Sequence, residues 1–265
     1  MTTIAIDPVR KQHAEAPQVP LSRVIRVELR KMFDTRSGFW LVASMAIAGL
    51  VATVATILFA PDKDLTYYTF AKSIGFPMTV ILPMIAILSV TGEWSQRTGL
   101  TTFTLVPHRS RVIKAKAISS VAVAVASMLF AFVLGVVGNL VGTAIAGTPT
   151  VWDVSVAEGV NIVLGNLLCL LTGTMLGMLI RSSAGALVAY FVYALLLPTL
   201  SSLLATSQDW FRHLQPWVDL NFAQSYLFTG TLTGEQWANV AVTATTWLVL
   251  PAVVGLRLVM RSEVR

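Results

Sequence analysis

The segment 92–116 combines charged and exposed apolar side chains in a pattern suited to recognition rather than catalysis. Glu93 and Arg97 are four residues apart with the acid first, an order that stabilises a helix by a few tenths of a kcal/mol. Apolar residues follow within the same loop, and apolar side chains away from lipid indicate contact with another protein. These apolar residues are Leu100, Phe103 and Leu105.

Pro107 would end any helix that precedes it, and Ser110 can cap the next one. Arg111, Lys114 and Lys116 then fall on successive turns, where we expect them at the level of lipid headgroups. A basic connector whose apolar residues pack against the helix ends would have the same pattern. Both interpretations of this loop therefore stay open on spacing alone.

Groups that could perform covalent or metal chemistry are few and scattered. Three histidines, at positions 13, 108 and 213, and one cysteine, Cys169, form neither a metal-binding cluster nor a catalytic set. The chain has no GxxxxGK[ST] phosphate loop, no GxSxG turn and no HExxH motif. We therefore predict that the chain is not an enzyme and binds no metal or nucleotide itself.

Composition excludes an ordinary soluble domain. The 265 residues are 55% hydrophobic and 12% charged, with a mean hydropathy of +0.73. A soluble domain is about 25% charged, so the polar material is too scarce to coat a soluble surface. The apolar content also excludes a disordered chain.

An apolar helix of about 20 residues crosses a bilayer, because all its backbone polar groups are satisfied internally. The sequence contains six such stretches and predicts an all-α polytopic membrane protein. Three of them also carry uncharged polar residues that are candidates for a substrate path. The predicted spans are 39–60, 70–90, 118–146, 160–180, 185–205 and 238–260, within a transmembrane domain of 38–260.

The basic residues indicate the orientation of these spans. With six spans, 16 of the 19 Lys and Arg residues lie on one side, which the positive-inside rule assigns to the cytoplasm. We therefore predict a multi-pass protein of the cytoplasmic (plasma) membrane with both termini in the cytoplasm. The net charge of +6 is explained by this orientation, so no nucleic-acid partner is expected. Residues 1–20 are predicted to be a flexible cytoplasmic tail, and 206–237 an outer loop rich in aromatic residues.

Residues 21–37 are predicted to form an amphipathic helix on the cytoplasmic membrane surface. Apolar residues recur on one helical face and arginines on another, which suits contact with acyl chains and anionic headgroups. A basic flank that only fixes topology is the alternative. The predicted membrane contacts are Arg23, Ile25, Arg26, Leu29, Arg30, Met32 and Phe33.

The predicted spans carry no charge near the middle of the membrane, although ion-coupled carriers usually keep one there. This absence favours an external energy source. The uncharged polar residues in the spans are explained first by interhelical hydrogen bonds, and second by a substrate path. Candidates for that path are Asn139, Asn161, Asn166 and Thr243.

The loop pattern Glu93…Arg97-Thr98…Leu105-Val106-Pro107…Ser110-Arg111…Lys116 resembles the signature of ABC-transporter permeases of the type-2 export class. The basic helix before the first span resembles the elbow helix of that class, and the six-span layout is similar. The order of Thr98 and Gly99, and one extra residue between Pro107 and Ser110, depart from the pattern.

This resemblance implies that 92–116 is a coupling loop that docks on a separate ATP-binding subunit, which would hold the ATP and Mg²⁺. It implies contacts from one group of loop residues, with Glu93 tying the helix to the elbow or to Arg97. The implied coupling residues are Glu93, Arg97, Thr98, Gly99, Leu100, Thr101, Phe103, Thr104, Pro107 and Arg111.

The resemblance further implies an exporter that works with a second permease copy, either identical or paralogous. Two alternatives remain: a polytopic membrane enzyme, and a scaffold or sensor subunit without transport. The sequence does not identify the substrate.

Overall fold

The computed structural model describes residues 19–34, 36–95 and 109–261. Across these ranges the chain is helical and has no β-strand, and six helices are long and apolar enough to cross a membrane. The predicted all-α polytopic fold is confirmed. The helices of the described ranges are α1 (Leu21–Asp34), α2 (Arg36–Phe59), α3 (Tyr67–Ser95), α4 (Arg109–Ala146), α5 (Val156–Ile180), α6 (Ser183–Ser207), α7 (Asp209–Val218), α8 (Leu220–Ser225) and α9 (Gly234–Met260).

Several helices are longer than the apolar stretches that predicted them. Helix α4 begins at Arg109, ahead of the predicted Ile118, and α3 continues past Val90 to Ser95. The predicted spans counted apolar residues, whereas a helix continues through polar turns as long as its backbone is hydrogen-bonded. The amphipathic helix α1 ends at Asp34, and α2 starts at Arg36.

Local signals explain where α5 begins and ends. Ser155 caps its first turn in a capping box with Glu158. At the other end, Arg181 adopts the left-handed conformation, with φ of 56°, and its N–H bonds the Gly177 carbonyl. Ser182 then accepts a hydrogen bond from the Gly185 N–H and caps α6, so the connection between the two helices is very short.

The core is centred on α3. One face of this helix presents Phe70, Ile74, Met78 and Leu82 at four-residue intervals, and all four are at most 1% exposed. Such spacing places side chains on one helical stripe. These residues belong to a cluster with buried side chains of α2, α4 and α5, so α3 is the axis around which the first five helices pack.

Small residues allow the closest helix contacts. A Cβ atom at Gly173 of α5 would lie 2.7 Å from the Pro83 carbonyl oxygen of α3. A Cβ atom at Gly138 of α4 would lie 2.7 Å from Thr53 Cγ2 of α2. These glycines therefore serve helix packing.

The two ends of the bundle differ. At one end Val90, Met178 and Val259, near the ends of α3, α5 and α9, pack together with Ile113 near the start of α4. Helix α1 lies at this same end, which we call the basic end because it carries Arg23, Arg26, Arg30, Arg109, Arg111 and Lys114. At the opposite end the Tyr67 N–H bonds the Val151 carbonyl oxygen at 3.2 Å. The short helices α7 and α8 lie within the predicted outer loop.

Prolines shape α3 and α6 and are compensated by side chains. Pro83 has no N–H for the Thr79 carbonyl, and the Tyr190 hydroxyl donates to that oxygen at 2.6 Å instead. In α6 a π-helical turn spans 192–196, where the Leu197 N–H bonds the Val192 carbonyl. Pro198 cannot donate to Tyr193, whose carbonyl oxygen accepts from Asn221 Nδ2 of α8 at 3.0 Å.

Helix α9 repeats this arrangement. A π-helical turn spans 245–249, immediately before Leu250 and Pro251. The Leu250 N–H bonds the Thr245 carbonyl, so neither residue 250 nor the proline supplies the usual donor to the carbonyl of Thr246. Trp247, within this turn, donates from Nε1 to the Val218 carbonyl at the end of α7, at 2.7 Å. The π turns of α6 and α9 are therefore both contacted by the short helices.

Candidate functional site

Most of the predicted coupling residues fall outside the described part of the chain. These are Arg97, Thr98, Gly99, Leu100, Thr101, Phe103, Thr104 and Pro107. Glu93 lies in the last turn of α3, where the backbone alone is described, so its predicted tie remains a prediction. The structure does describe the two helices that carry the loop, and Arg111 at the start of the second.

Arg111 connects the start of α4 to the segment before α1. Its Nη1 atom donates to the Val19 carbonyl oxygen at 3.1 Å. One further contact of the same kind joins the two helices, since Ser119 Oγ donates to the Ile25 carbonyl oxygen at 3.4 Å. The helix that follows the loop is thus bound along its first turns to α1.

A buried ion pair is the strongest link between α1 and α4. Lys116 Nζ lies 2.7 Å from Glu28 Oε2, and the two side chains are 6% and 4% exposed. Lys31 Nζ lies 2.7 Å from the other carboxylate oxygen of Glu28. Both oxygens of this buried acid therefore accept a charge-assisted hydrogen bond, which is the condition for keeping a charge inside a protein.

The Glu28 carboxyl group is held in its ionised form. Burial by itself raises its pKa, but Lys116 and Lys31 together outweigh burial and bring the pKa below the ordinary value of 4.5. The pair is therefore charged at neutral pH. It ties the first turns of α4 to α1.

Sequence reasoning missed this pair. It expected Lys116 at the headgroup level, whereas the structure buries it against α1. Glu28 interrupts the apolar periodicity of α1, yet Val24, Glu28 and Met32 at four-residue spacing form the face that packs on the protein. An acid on such a face, together with a lysine two turns into the helix that follows the loop, is the signal that could have revealed the contact.

The predicted membrane contacts of α1 divide into three groups. Met32 is buried in the main core rather than on the membrane side. Ile25 and Leu29 are half-buried, and Phe33 is 50% exposed. The arginines are exposed, and they are Arg23, Arg26 and Arg30.

The four candidate residues for a substrate path are buried and bonded within the protein. Asn139 Nδ2 donates to the Val151 carbonyl oxygen at 2.9 Å, and Asn161 Nδ2 to the Gly230 carbonyl oxygen at 3.1 Å. Asn166 and Thr243 bond carbonyl oxygens of their own helices, four residues back. Two of these contacts therefore join a helix to a loop and two lie within one helix, and the path itself stays a prediction.

The described residues contain no group of three or more His, Cys, Asp or Glu side chains that could hold a metal ion. In comparisons with known proteins, no protein-family model matches the chain and no curated protein matches it.

Proposed function

We propose that this chain is the membrane-spanning permease subunit of an ATP-driven ABC exporter. It would move a substrate across or out of the cytoplasmic membrane by coupling to a separate ATP-binding subunit through the loop 92–116. The observation that carries the proposal is the clamp at the basic end, where the Glu28–Lys116 pair binds α1 to the helix that follows the loop.

The lengths of the flanking helices support a loop that projects out of the membrane. At 1.5 Å per residue, the 29 residues of α3 extend about 43 Å. On the same scale the 38 residues of α4 extend about 57 Å. Both exceed a hydrocarbon core of about 30 Å. The basic first turns of α4 favour the cytoplasm for this end.

The clamp would transmit a movement of the loop to both α1 and α4. Lys116 and Ser119 at the start of α4 bind α1, and Arg111 binds the segment just before it. A displacement of the loop would therefore move α1 and α4 together. Coupling requires such a unit to have two arrangements that nucleotide binding favours differently.

The charge distribution supports an energy source outside this chain. Within the described part of the six spans, Lys116 is the buried charged residue, and it lies at the basic end beside Glu28. Carriers driven by protons or sodium usually hold an ionisable group deep in the membrane. In the proposal ATP and Mg²⁺ belong to the partner subunit.

The proposal includes a second permease copy, identical or paralogous. In α6, 6% of the most apolar stretch of 18 residues is buried, against 61% of the corresponding stretch of α5. Most of the surface of α6 is therefore open to a second membrane subunit or to lipid. Closed two-fold assemblies are the commonest among soluble oligomers, and the proposal extends this symmetry to the membrane subunits.

The test is co-purification of the tagged chain with a co-expressed candidate ATP-binding subunit. Phe103→Asp and Leu100→Asp place a charge in the predicted contact, and we expect each to lower the amount of bound ATPase about tenfold. Trp210→Asp, a comparable change at an exposed residue of α7, is the control and should leave the complex intact.

Three outcomes would count against the proposal. Wild-type amounts of ATPase bound to both loop variants would favour a scaffold or sensor that associates elsewhere. Transport by vesicles that contain this chain without any nucleotide hydrolase would exclude ATP coupling. Turnover of a lipid by the purified chain alone would favour a membrane enzyme.

A further inference from the structure

A groove lies between α1, α2 and α4 near the basic end of the bundle. It encloses about 430 Å³ and is open on one side. This volume is within the range of about 300–1,000 Å³ that is usual for small-molecule sites. Its walls are nearly all apolar and include Leu29, Phe33, Met45, Ala122, Ala126 and Phe130.

The groove offers no free polar group to a ligand among its lining side chains. Ser127 is the polar residue of the lining, and its hydroxyl donates to the Val123 carbonyl oxygen of its own helix at 2.7 Å. An occupant of the groove is therefore an apolar chain, since a polar group placed there would lose its hydrogen bonds without compensation.

The arginines of α1 border this groove. Successive residues of a helix are rotated by about 100°, so Arg26 lies about 60° and Arg30 about 100° around the axis from Leu29. The buried face with Glu28 is on the other side of Leu29. The groove therefore runs between the protein-facing side of α1 and its arginine face.

These arginines are available to a ligand. Arg30 Nε is 3.5 Å from Asp34 Oδ2, but the two side chains are 80% and 67% exposed, so this pair is weak. Arg26 is exposed. Among the described residues of the basic end, Asp34 is the one exposed acid.

We propose that the groove holds one acyl chain of an anionic phospholipid, with the phosphate on Arg26 and Arg30. The apolar groove and the adjacent arginines match the two parts of such a lipid. Guanidinium groups bind phosphate through paired hydrogen bonds, and basic residues at a membrane surface select anionic lipids. This site does not depend on the proposed export function.

The test uses the purified chain in vesicles of phosphatidylcholine and phosphatidylglycerol, with a trace of phosphatidylglycerol that carries a photoreactive acyl chain. After irradiation, mass spectrometry locates the labelled residues. We expect labelling to concentrate on the groove, and unlabelled phosphatidylglycerol to compete better than phosphatidylcholine. Even labelling of all lipid-facing helices would overturn the proposal.

Two variants with matched controls separate the parts of the site. Ala126→Trp fills the groove and should lower its labelling about tenfold. Ala144→Trp, at an exposed alanine of the same helix, should leave the labelling of the groove within about twofold. Equal losses in these two variants would contradict an acyl chain in the groove.

Replacing both Arg26 and Arg30 by Gln should remove the preference for phosphatidylglycerol, about thirtyfold on the scale of two basic residues at an anionic surface. Arg257→Gln, at another exposed arginine, should keep it. A photoreactive phenylalanine introduced at Phe33 identifies the occupant by mass. Cross-linking to lipid supports the proposal, whereas cross-linking to a second chain or to residues 1–18 overturns it.

Discussion

Helices α5 and α6 follow one another along the chain and are held in the protein in different ways. In α5, 61% of the most apolar stretch of 18 residues is buried. This helix contacts α3 so closely that Gly173 meets the backbone of Pro83. In α6, 6% of the corresponding stretch is buried. Its attachments include hydrogen bonds to backbone carbonyls that a proline leaves free, at Thr79 and Tyr193. A small buried cluster of Ala186 and Tyr190 with Ile87 of α3 adds to them.

This difference separates a packed region, α1 to α5, from a helix bound at a few points. In lipid there is little hydrophobic force between helices, so close packing and polar contacts supply the attraction. The packed region uses small residues and one buried ion pair. Between α6 and its neighbours, side chains complete the backbone hydrogen bonding that prolines interrupt. A helix held at few points is the one that can change position at least cost, which would suit the proposed exporter.

The largest effect should come from the ion pair that binds α1 to the packed region. Glu28→Gln replaces the charge that faces Lys116 with a neutral amide while both side chains stay buried. Breaking such a pair costs about 3–5 kcal/mol of stability, and we expect the lower end because the amide oxygen still accepts a hydrogen bond. Chemical unfolding in detergent measures the change. Asp34→Asn, in the exposed pair with Arg30, is the control and should have no measurable effect.

The pH dependence of the same variant gives a second readout. The pKa of Glu28 is lower in the folded chain than its ordinary value of 4.5. Its contribution to stability is therefore complete above the unfolded value and is lost as the pH falls through the folded value. In Glu28→Gln, the part of the fall in unfolding free energy below pH 4.5 that comes from protonation of Glu28 should be absent. An unchanged acid dependence would show that α1 is not part of the packed region.

The sequence was sufficient for the packed region's outline and insufficient for its polar contacts. Length and hydropathy predict the six spans because a bilayer sets a minimum apolar length. The pairing of Glu28 with Lys116 depends on two segments separated by two spans, which no local pattern specifies. The bond from Tyr190 to Thr79 is likewise non-local, although Pro83 signals that the Thr79 carbonyl needs a donor. The coupling residues of the loop lie outside the described residues, so their roles rest on the resemblance.

A smaller effect should follow from a methyl group between α3 and α5. Gly173→Ala would place a Cβ 2.7 Å from the Pro83 carbonyl oxygen and 2.9 Å from Pro83 Cα, so the backbones must separate. Overpacking of this kind costs about 1–3 kcal/mol, partly offset by the better helix propensity of alanine. We expect a net loss in the unfolding free energy.

Gly75→Ala is the matched control in α3, because nothing lies within 4 Å of a Cβ at that position. The propensity gain then acts alone, and the variant should be more stable by up to about 1 kcal/mol. Opposite signs for the two glycine variants would support close packing as the principle of this region. Equal signs would contradict it.

The smallest effect should come from removing one attachment of α6. Tyr190→Phe deletes the hydroxyl that donates to the Thr79 carbonyl at 2.6 Å, and hydrogen bonds between membrane helices contribute about 0.6 kcal/mol on average. The cause is testable in a double-mutant cycle with Pro83→Ala, since an alanine at position 83 supplies the missing N–H to the same carbonyl. In that background the loss of the tyrosine hydroxyl should cost less, and the unfolding free energies of the four proteins give the coupling. If the free-energy costs of the two substitutions are strictly additive, Tyr190 holds α6 by the packing of its ring. Helices α5 and α6 would then both be held by packing, and the difference between them would be smaller than their hydrogen bonds indicate.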